Sequence, residues 1–301
     1  MISFMKYRYL YFVLSLTVLI PGMYTLIRFG LKPAVDFTGG TLIELKMKNA
    51  VLRQSSGQEL KISQEDIKKI AGEKNIEVGS IQPSGENTFI LKAKTIDETK
   101  KNELLSAVKE KFGDVEETRF ENVGPILGKE LLQKTMVAVV LASTVILLYV
   151  AWAFKNIRFG VSAIIALIHD ILVVLSIFAL LGKYKGVEVD TLFVTAMLTT
   201  MSFSVHDTII VFDRIREYQK RYGNLEFTTL IDRALTETIS RSLNNSLTII
   251  FMLLALFLLG GETTRWFILA LLVGTISGAY SSPFIATPVL YIWHELRDVK
   301  H

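Results

Sequence analysis

The sequence predicts an α-helical membrane protein with six transmembrane helices and an α+β ferredoxin-like domain outside the cytoplasm. Three observations carry that fold class. Half of the 301 residues are hydrophobic. Six stretches are each apolar over roughly the 20 residues that about 30 Å of hydrocarbon demands. The residues between the first two stretches are instead charged, alternating and punctuated by turns. The spans fall at 9–27, 136–154, 159–181, 191–212, 243–259 and 266–293, leaving an external domain at 28–134, a cytoplasmic loop at 213–242 and cytoplasmic ends at 1–8 and 294–301.

Orientation follows from the short connections, because Lys and Arg are retained on the cytoplasmic side. Lys6 and Arg8 precede the first span, Lys155 and Arg158 fill the second-to-third connection, and Arg214, Arg216, Lys220, Arg221, Arg233 and Arg241 crowd the fourth-to-fifth. Arg297 and Lys300 follow the last span, whereas the opposite short loops hold Lys183, Lys185 and Arg265. Both termini are therefore expected in the cytoplasm, and the chain in the cytoplasmic (inner) membrane. The length of the first span, and the lack of a small-residue cleavage pattern, read as a retained helix rather than a removed secretory signal. Pro21 and Gly22 are expected to bend it.

Composition excludes several function classes. With no cysteine there is no disulfide framework and no thiolate chemistry. The histidines, His169, His206, His294 and His301, show no metal-ligand spacing, and no phosphate-cradling glycine loop or nucleophile motif occurs. Neither a metal, a cofactor nor an enzymatic activity is expected. The net charge of +4 sits beside apolar runs, so it reads as membrane orientation rather than nucleic-acid binding.

Within the external domain, alternating Ile43, Leu45 and Met47 predict a strand. Ser63 with Asp66 resembles a capping box opening a helix that lines up Ile67, Ile70 and Ala71. Strands at 77–81 and 88–92 follow, then a helix capped by Thr95 with Glu98, carrying Leu104, Leu105, Val108 and Phe112 and stopped by Gly113. A last strand at 115–120 completes the order strand, helix, strand, strand, helix, strand of a ferredoxin-like fold.

Polar residues inside the spans supply the functional signal. His169 and Asp170 lie mid-way along the third span, His206 and Asp207 along the fourth. An Asp at a helix centre costs about 2.5–3.5 kcal/mol on insertion scales, so it faces a bundle interior, a partner or water, and is a candidate to exchange a proton. Thr200, Ser204, Asp207 and Thr208 share one face of the fourth span at three- and four-residue steps. Arg241, Asn245 and Thr248 form a second stripe at the start of the fifth, and pairing of Arg241 with Asp207 in one state is expected if the two faces meet. The alternative is that these groups only hydrogen-bond helices together. Gly274, Ser277, Gly278 and Ser281 read as a close-packing stripe. Leu230, Ile231, Ala234 and Leu235 read as an amphipathic helix lying on the membrane surface.

Several segments together resemble the SecF side of the SecD/SecF family of bacterial protein-export proteins, within the resistance-nodulation-division transporter superfamily. They are Asp36-Phe37-Thr38-Gly39-Gly40-Thr41 after the first span, Phe120-Glu121-Asn122-Val123-Gly124-Pro125 before the second, 166–182 around His169-Asp170, and Ser204-Val205-His206-Asp207-Thr208 running on to Phe212-Asp213-Arg214. Thr238-Ile239-Ser240-Arg241-Ser242-Leu243 and the Gly260-Gly261 turn complete the match. His206 is a departure, since the family commonly carries Asn there, as is Phe203, where Tyr is common.

The resemblance implies half of a transporter-type membrane unit, paired with SecD, associated with the SecYEG channel, YajC and the SecA machinery, and assisting late export of a translocating polypeptide with the proton-motive force. It implies that Asp207, Arg241 and Asp170 form the proton or ion pathway, with His206, Thr200, Ser204, Thr208, Asn245 and His169 in support. Two other readings stay open: a half-transporter for a small molecule or lipid, and a structural assembly subunit without ion coupling.

Overall fold

The computed structural model describes residues 3–47, 52–53, 59–60, 63–83, 87–153 and 156–298. Lys155, Lys300 and His301 lie outside the described residues. The chain divides into two compact units, Pro33–Met136 and a membrane unit of Met1–Lys32 with Val137–His301.

In chain order the elements are α1 (Arg8–Phe29), α2 (Val35–Thr38), β1 (Gly40–Met47), β2 (Leu52–Arg53), β3 (Glu59–Leu60), α3 (Gln64–Glu73), β4 (Val78–Pro83), β5 (Thr88–Ala93), α4 (Glu98–Phe112) and β6 (Val115–Val123). The long helices α5 (Pro125–Ala153), α6 (Ile157–Lys185), α7 (Thr191–Arg221), α8 (Phe227–Leu259) and α9 (Glu262–Ser281) follow. A π-helical turn at Ser282–Ala286 leads into α10 (Thr287–Asp298). Among the described residues, six helical segments are long and apolar enough to cross a membrane, the last running through α9 and α10.

The unit at Pro33–Met136 is ferredoxin-like. Its four-stranded sheet has the order β4-β5-β1-β6, and every neighbouring pair is antiparallel. Ile43, Leu45 and Met47 of β1 and Leu91 of β5 pack with Ile67, Ile70 and Ala71 of α3 and Leu104, Val108 and Phe112 of α4. A two-stranded β2-β3 ladder is added to the expected pattern. The predicted capping box is present: the Ser63 hydroxyl accepts from the Asp66 amide at 3.2 Å, and Asp66 accepts from the Ser63 amide at 3.3 Å. The cap of α4 is Asp97 rather than Thr95. Its carboxylate accepts from the Lys100 amide at 2.9 Å, and Thr95 lies two positions earlier, before the helix start.

The Asp36-Phe37-Thr38-Gly39-Gly40-Thr41 segment has a backbone reason. Asp36, Phe37 and Thr38 form the end of α2, and the chain then turns into β1 through Gly39 at φ +73° and Gly40 at φ +127°, a region that disfavours side chains. A Cβ on Gly39 would stand 2.7 Å from the Pro125 Cα, and one on Gly128 would stand 2.8 Å from the Gly39 nitrogen. The glycines thus let the start of β1 and the first turn of α5 touch backbone to backbone. Thr41 then donates to Asn122 at 3.0 Å and accepts the Ile96 amide at 3.0 Å, while Asn122 donates to the Ile96 carbonyl at 2.6 Å.

In the membrane unit the helices extend well past the apolar runs, because no Gly or Pro interrupts α7 or α8 internally. The expected 213–242 loop is therefore mostly two helical extensions joined by residues 222–226. Leu230, Ile231, Ala234 and Leu235 do not lie on a membrane surface. All four are buried, and Ile231, Ala234 and Leu235 share a core with Val211, Phe212 and Ile215, so the apolar stripe faces α7. Arg214 and Tyr218 of α7 both bind Glu237 of α8 across this packing. Phe4 and Met5 are also buried, and the buried Asp232 accepts the Met5 amide at 3.1 Å. Pro21 sits inside α1 without ending it. The role of Gly22 is close approach: a Cβ there would lie 2.1 Å from that of Ser176 on α6.

The capping box gives a pH-dependent test. The Ser63 hydroxyl first, and its amide second, hold the Asp66 carboxyl below its ordinary value. With the folded value the lower one, this contribution is complete above the unfolded value and is lost as pH falls through the folded one. Ser63→Ala is expected to lower stability by about 1 kcal/mol near neutral pH. The gap to wild type narrows below about pH 4, where the hydroxyl loses its bond to the carboxylate and keeps the one from the Asp66 amide, as equilibrium unfolding at the two pH values would read.

Candidate functional site

Two carboxylates are buried among the helices of the membrane unit, and their surroundings differ. Asp170 on α6 is 5 % exposed, and its oxygens accept four donors from three helices. Ser204 of α7 donates to Oδ2 at 2.5 Å and Ser281 of α9 to the same atom at 2.6 Å. Ser277 of α9 reaches Oδ1 at 2.6 Å, and His169 Nδ1 lies 3.0 Å from Oδ1. The other ring nitrogen of His169 is 3.0 Å from the Ser15 hydroxyl of α1. One carboxyl group therefore ties together α1, α6, α7 and α9.

Close backbone approach makes this possible, since a serine hydroxyl reaches little beyond its own Cβ. Gly274 and Gly278 of α9 provide it: Cβ atoms there would stand 2.4 Å from the Thr200 side chain and 3.2 Å from Ser204. The stripe expected only to pack helices divides its work. Its glycines admit α7, and its serines bind Asp170.

Asp207, 6 % exposed, is held more loosely. It accepts from Ser246 of α8 at 3.3 Å, with Ser242 one turn away on the same face. The predicted polar face of the fourth span is buried throughout, with Thr200, Ser204 and Thr208 all at 6 % exposure or less. It nevertheless splits by direction. Ser204 goes to Asp170, Thr208 pairs with Ser282 at 2.9 Å and Thr200 bonds its own helix at Met197 O, while Asp207 turns toward α8.

The stripe predicted on the fifth span is one residue out of phase with that contact. Thr238, Ser242 and Ser246 face inward, whereas Arg241, Asn245 and Thr248 are exposed. Arg241 does not reach Asp207 in this arrangement. His206 is likewise exposed, on the flank of α7 next to the acid rather than in the bundle. Sequence reasoning missed Ser15, Ser242, Ser246 and Ser282. Intramembrane serines are too common to single out, and only the acid they converge on gives them meaning. Among the described residues, no group of three or more His, Asp or Glu is placed to hold a metal ion.

A multi-pass helical bundle centred on buried carboxylates, with a ferredoxin-like domain inserted after its first span, has the form of a transporter-type membrane subunit. The profile described as "Protein export membrane protein SecD/SecF, C-terminal" matches residues 103–296, and that of the "SecD/SecF GG Motif" matches 24–51. The protein translocase subunit SecF of Thermobaculum terrenum is 42% identical over 97% of this chain and 94% of its own length. That of Anaerolinea thermophila is 38% identical over 97% and 94%. The crystal structure of the translocon-associated membrane protein SecDF from Thermus thermophilus superposes with a TM-score of 0.84 at 30% identity, over 98% of this chain and 39% of that one. The chain belongs to the SecD/SecF family of protein-export membrane proteins, on its SecF side.

The Asp170 cluster predicts an asymmetry in stability. Ser204→Ala leaves a buried carboxylate one donor short and is expected to cost about 1–3 kcal/mol. Thr248→Ala on the exposed face of α8 is expected to stay within about 0.5 kcal/mol. Thermal unfolding of the two variants in lipid nanodiscs measures the difference.

Proposed function

We propose that this chain is the SecF half of a SecD–SecF assembly in the cytoplasmic membrane, with both termini in the cytoplasm, and that it uses the proton gradient to help complete protein export. The observation that carries this reading is Asp207, a buried carboxylate held from a single neighbouring helix, by Ser246 at 3.3 Å with Ser242 beside it. A group so lightly held can gain or lose a proton with little rearrangement around it. Asp207 is the proton acceptor of the proposal. Arg241, on the exposed flank of α8, is the cation that competes with the proton when the helices shift. Asp170 belongs to the pathway as the fixed charge that keeps α6, α7 and α9 in register.

The partner half follows from the exposed polar groups. Arg241, Asn245, Thr248 and His206 stand on outward faces of α7 and α8 among residues such as Phe203, Leu247 and Phe251. Charged and amide groups facing hydrocarbon are costly, so a second membrane protein covering them accounts for their placement. The chain spans 39% of the SecDF chain it resembles, which leaves room for SecD as that cover. SecYEG, with SecA, and YajC are the remaining members of the proposed assembly, and the translocating polypeptide is its cargo.

The energetics are adequate. One charge crossing 100 mV releases about 2.3 kcal/mol. Driving a two-state element from 1:99 to 99:1 takes about 5.5 kcal/mol, so about three protons per cycle suffice to reposition the ferredoxin-like domain.

Export into inverted membrane vesicles, with and without a proton gradient, tests the proposal. Asp207→Asn and Arg241→Met are each expected to reduce the gradient-dependent part of export by about 100-fold, the scale of a lost proton-transfer group. Co-purification with SecD is expected to stay normal. Full gradient-dependent export by Asp207→Asn would instead make the chain an assembly scaffold.

A further inference from the structure

The sequence places Asp170 and His169 together, and it is the acid that attracts attention as a proton carrier. The geometry reverses the roles. A carboxylate has two oxygens and about four acceptor positions. Here Ser204 and Ser281 occupy Oδ2, while Ser277 and His169 Nδ1 occupy Oδ1. The three hydroxyl contacts, at 2.5, 2.6 and 2.6 Å, match the roughly 2.5–2.7 Å of hydroxyls donating to a charged carboxylate. A proton on Asp170 would turn one acceptor position into a donor, and His169 Nδ1 or a serine oxygen would have to switch from donating to accepting. Four donors at four acceptor positions match the ionised acid.

An ionised carboxyl buried between helices needs a donor at each acceptor position. His169 Nδ1 lies 3.0 Å from Oδ1, and a nitrogen facing an ionised carboxylate, which only accepts, carries the hydrogen. That leaves Nε2, 3.0 Å from the Ser15 hydroxyl. A hydroxyl donates to a neutral ring nitrogen and accepts from a protonated one, so a proton can enter or leave Nε2 without breaking any contact of Asp170. Ser15, its partner, lines a groove together with His169. Ser277 and Tyr280 line it too, and the groove, of about 310 Å³ between α1, α6 and α9, is walled otherwise by residues such as Val18 and Ile177.

We propose that His169 Nε2 is a second proton-binding position of the membrane unit, reached from the α1–α6–α9 groove, with Asp170 as a permanently ionised group that positions the ring. The titratable neighbours are few. From α9, Tyr280 stands with its ring centroid 6.3 Å from that of His169, and its hydroxyl donates to the Tyr11 carbonyl at 2.7 Å. Ser15 is the group α1 presents, and α7 presents Ser204, with Asp207 one turn further on and turned toward α8. The proposal deepens the export reading and rests on it for its effect on export, not for the chemistry of the site.

The test uses the full chain co-purified with its partner subunit in lipid vesicles. Infrared difference spectra between acidic and neutral pH are expected to show a histidine signal that His169→Gln removes. The same spectra are expected to show no protonated-carboxyl band that Asp170→Asn removes. A carboxyl band that rises on acidification and disappears in Asp170→Asn would overturn the proposal. Should Asp170→Asn fail to assemble, nitrogen NMR of ¹⁵N-histidine-labelled wild type, assigned against His169→Gln, reads the ring itself. Nδ1 is expected to stay protonated at every pH while Nε2 changes state, and an Nε2 that stays constant would refute the assignment. In vesicle export, His169→Gln is expected to flatten the pH profile. Asp207→Asn is expected to abolish coupling and leave the His169 signal in place, so the two readings fail separately.

Discussion

A carboxylate carried into the middle of a helix bundle in hydrocarbon must find donors, and the donors that Asp170 finds determine how the membrane unit is packed. Three serines on two neighbouring helices and the adjacent imidazole converge on it. Serine is a short ligand, so those helices have to come close. Gly278 opposite Ser204, Gly274 opposite Thr200 and Gly22 opposite Ser176 are the positions where a side chain would prevent it. Hydrogen bonding and small-residue packing are thus one constraint expressed twice, because transmembrane helices lack the hydrophobic drive that assembles soluble ones.

Asp207 lies one helical turn from Ser204 and meets a different helix. Its hydroxyl contact at 3.3 Å is long beside the 2.5 and 2.6 Å contacts of Asp170, and its flanks lead to the exposed His206, Arg241 and Asn245. A bundle that holds one acid through four donors from three helices and the other from α8 alone gives the two carboxylates different surroundings, which on the proposed reading separates a fixed charge from a movable one. That separation suits a device whose helices must keep their register while a proton passes, and it follows from where the serines sit on α8 and α9.

The soluble unit obeys a tighter backbone rule. Gly39 and Gly40 adopt positive φ so that the chain leaves α2, enters the central strand and passes against the start of α5. Thr41 and Asn122 then fix the ends of β1 and β6 to the segment before α4. The motif is a geometric junction, and its residue types follow from space and dihedral angle.

The sequence by itself determined the six spans, the ferredoxin-like order, the Ser63 capping box and the two intramembrane acids. Each of these depends on local periodicity, on hydropathy or on the cost of a charge in lipid, all of which act within one segment. Tertiary structure decided which stripe of α8 faces Asp207, that Ile231 and Leu235 pack on α7 rather than on a membrane surface, and that Ser277 and Ser281 serve Asp170. A helical stripe has the same period whatever it faces, and a shift of one residue turns the helix by about 100°. Only the packed neighbours distinguish Ser242 from Arg241, or the surroundings of Asp170 from those of Asp207.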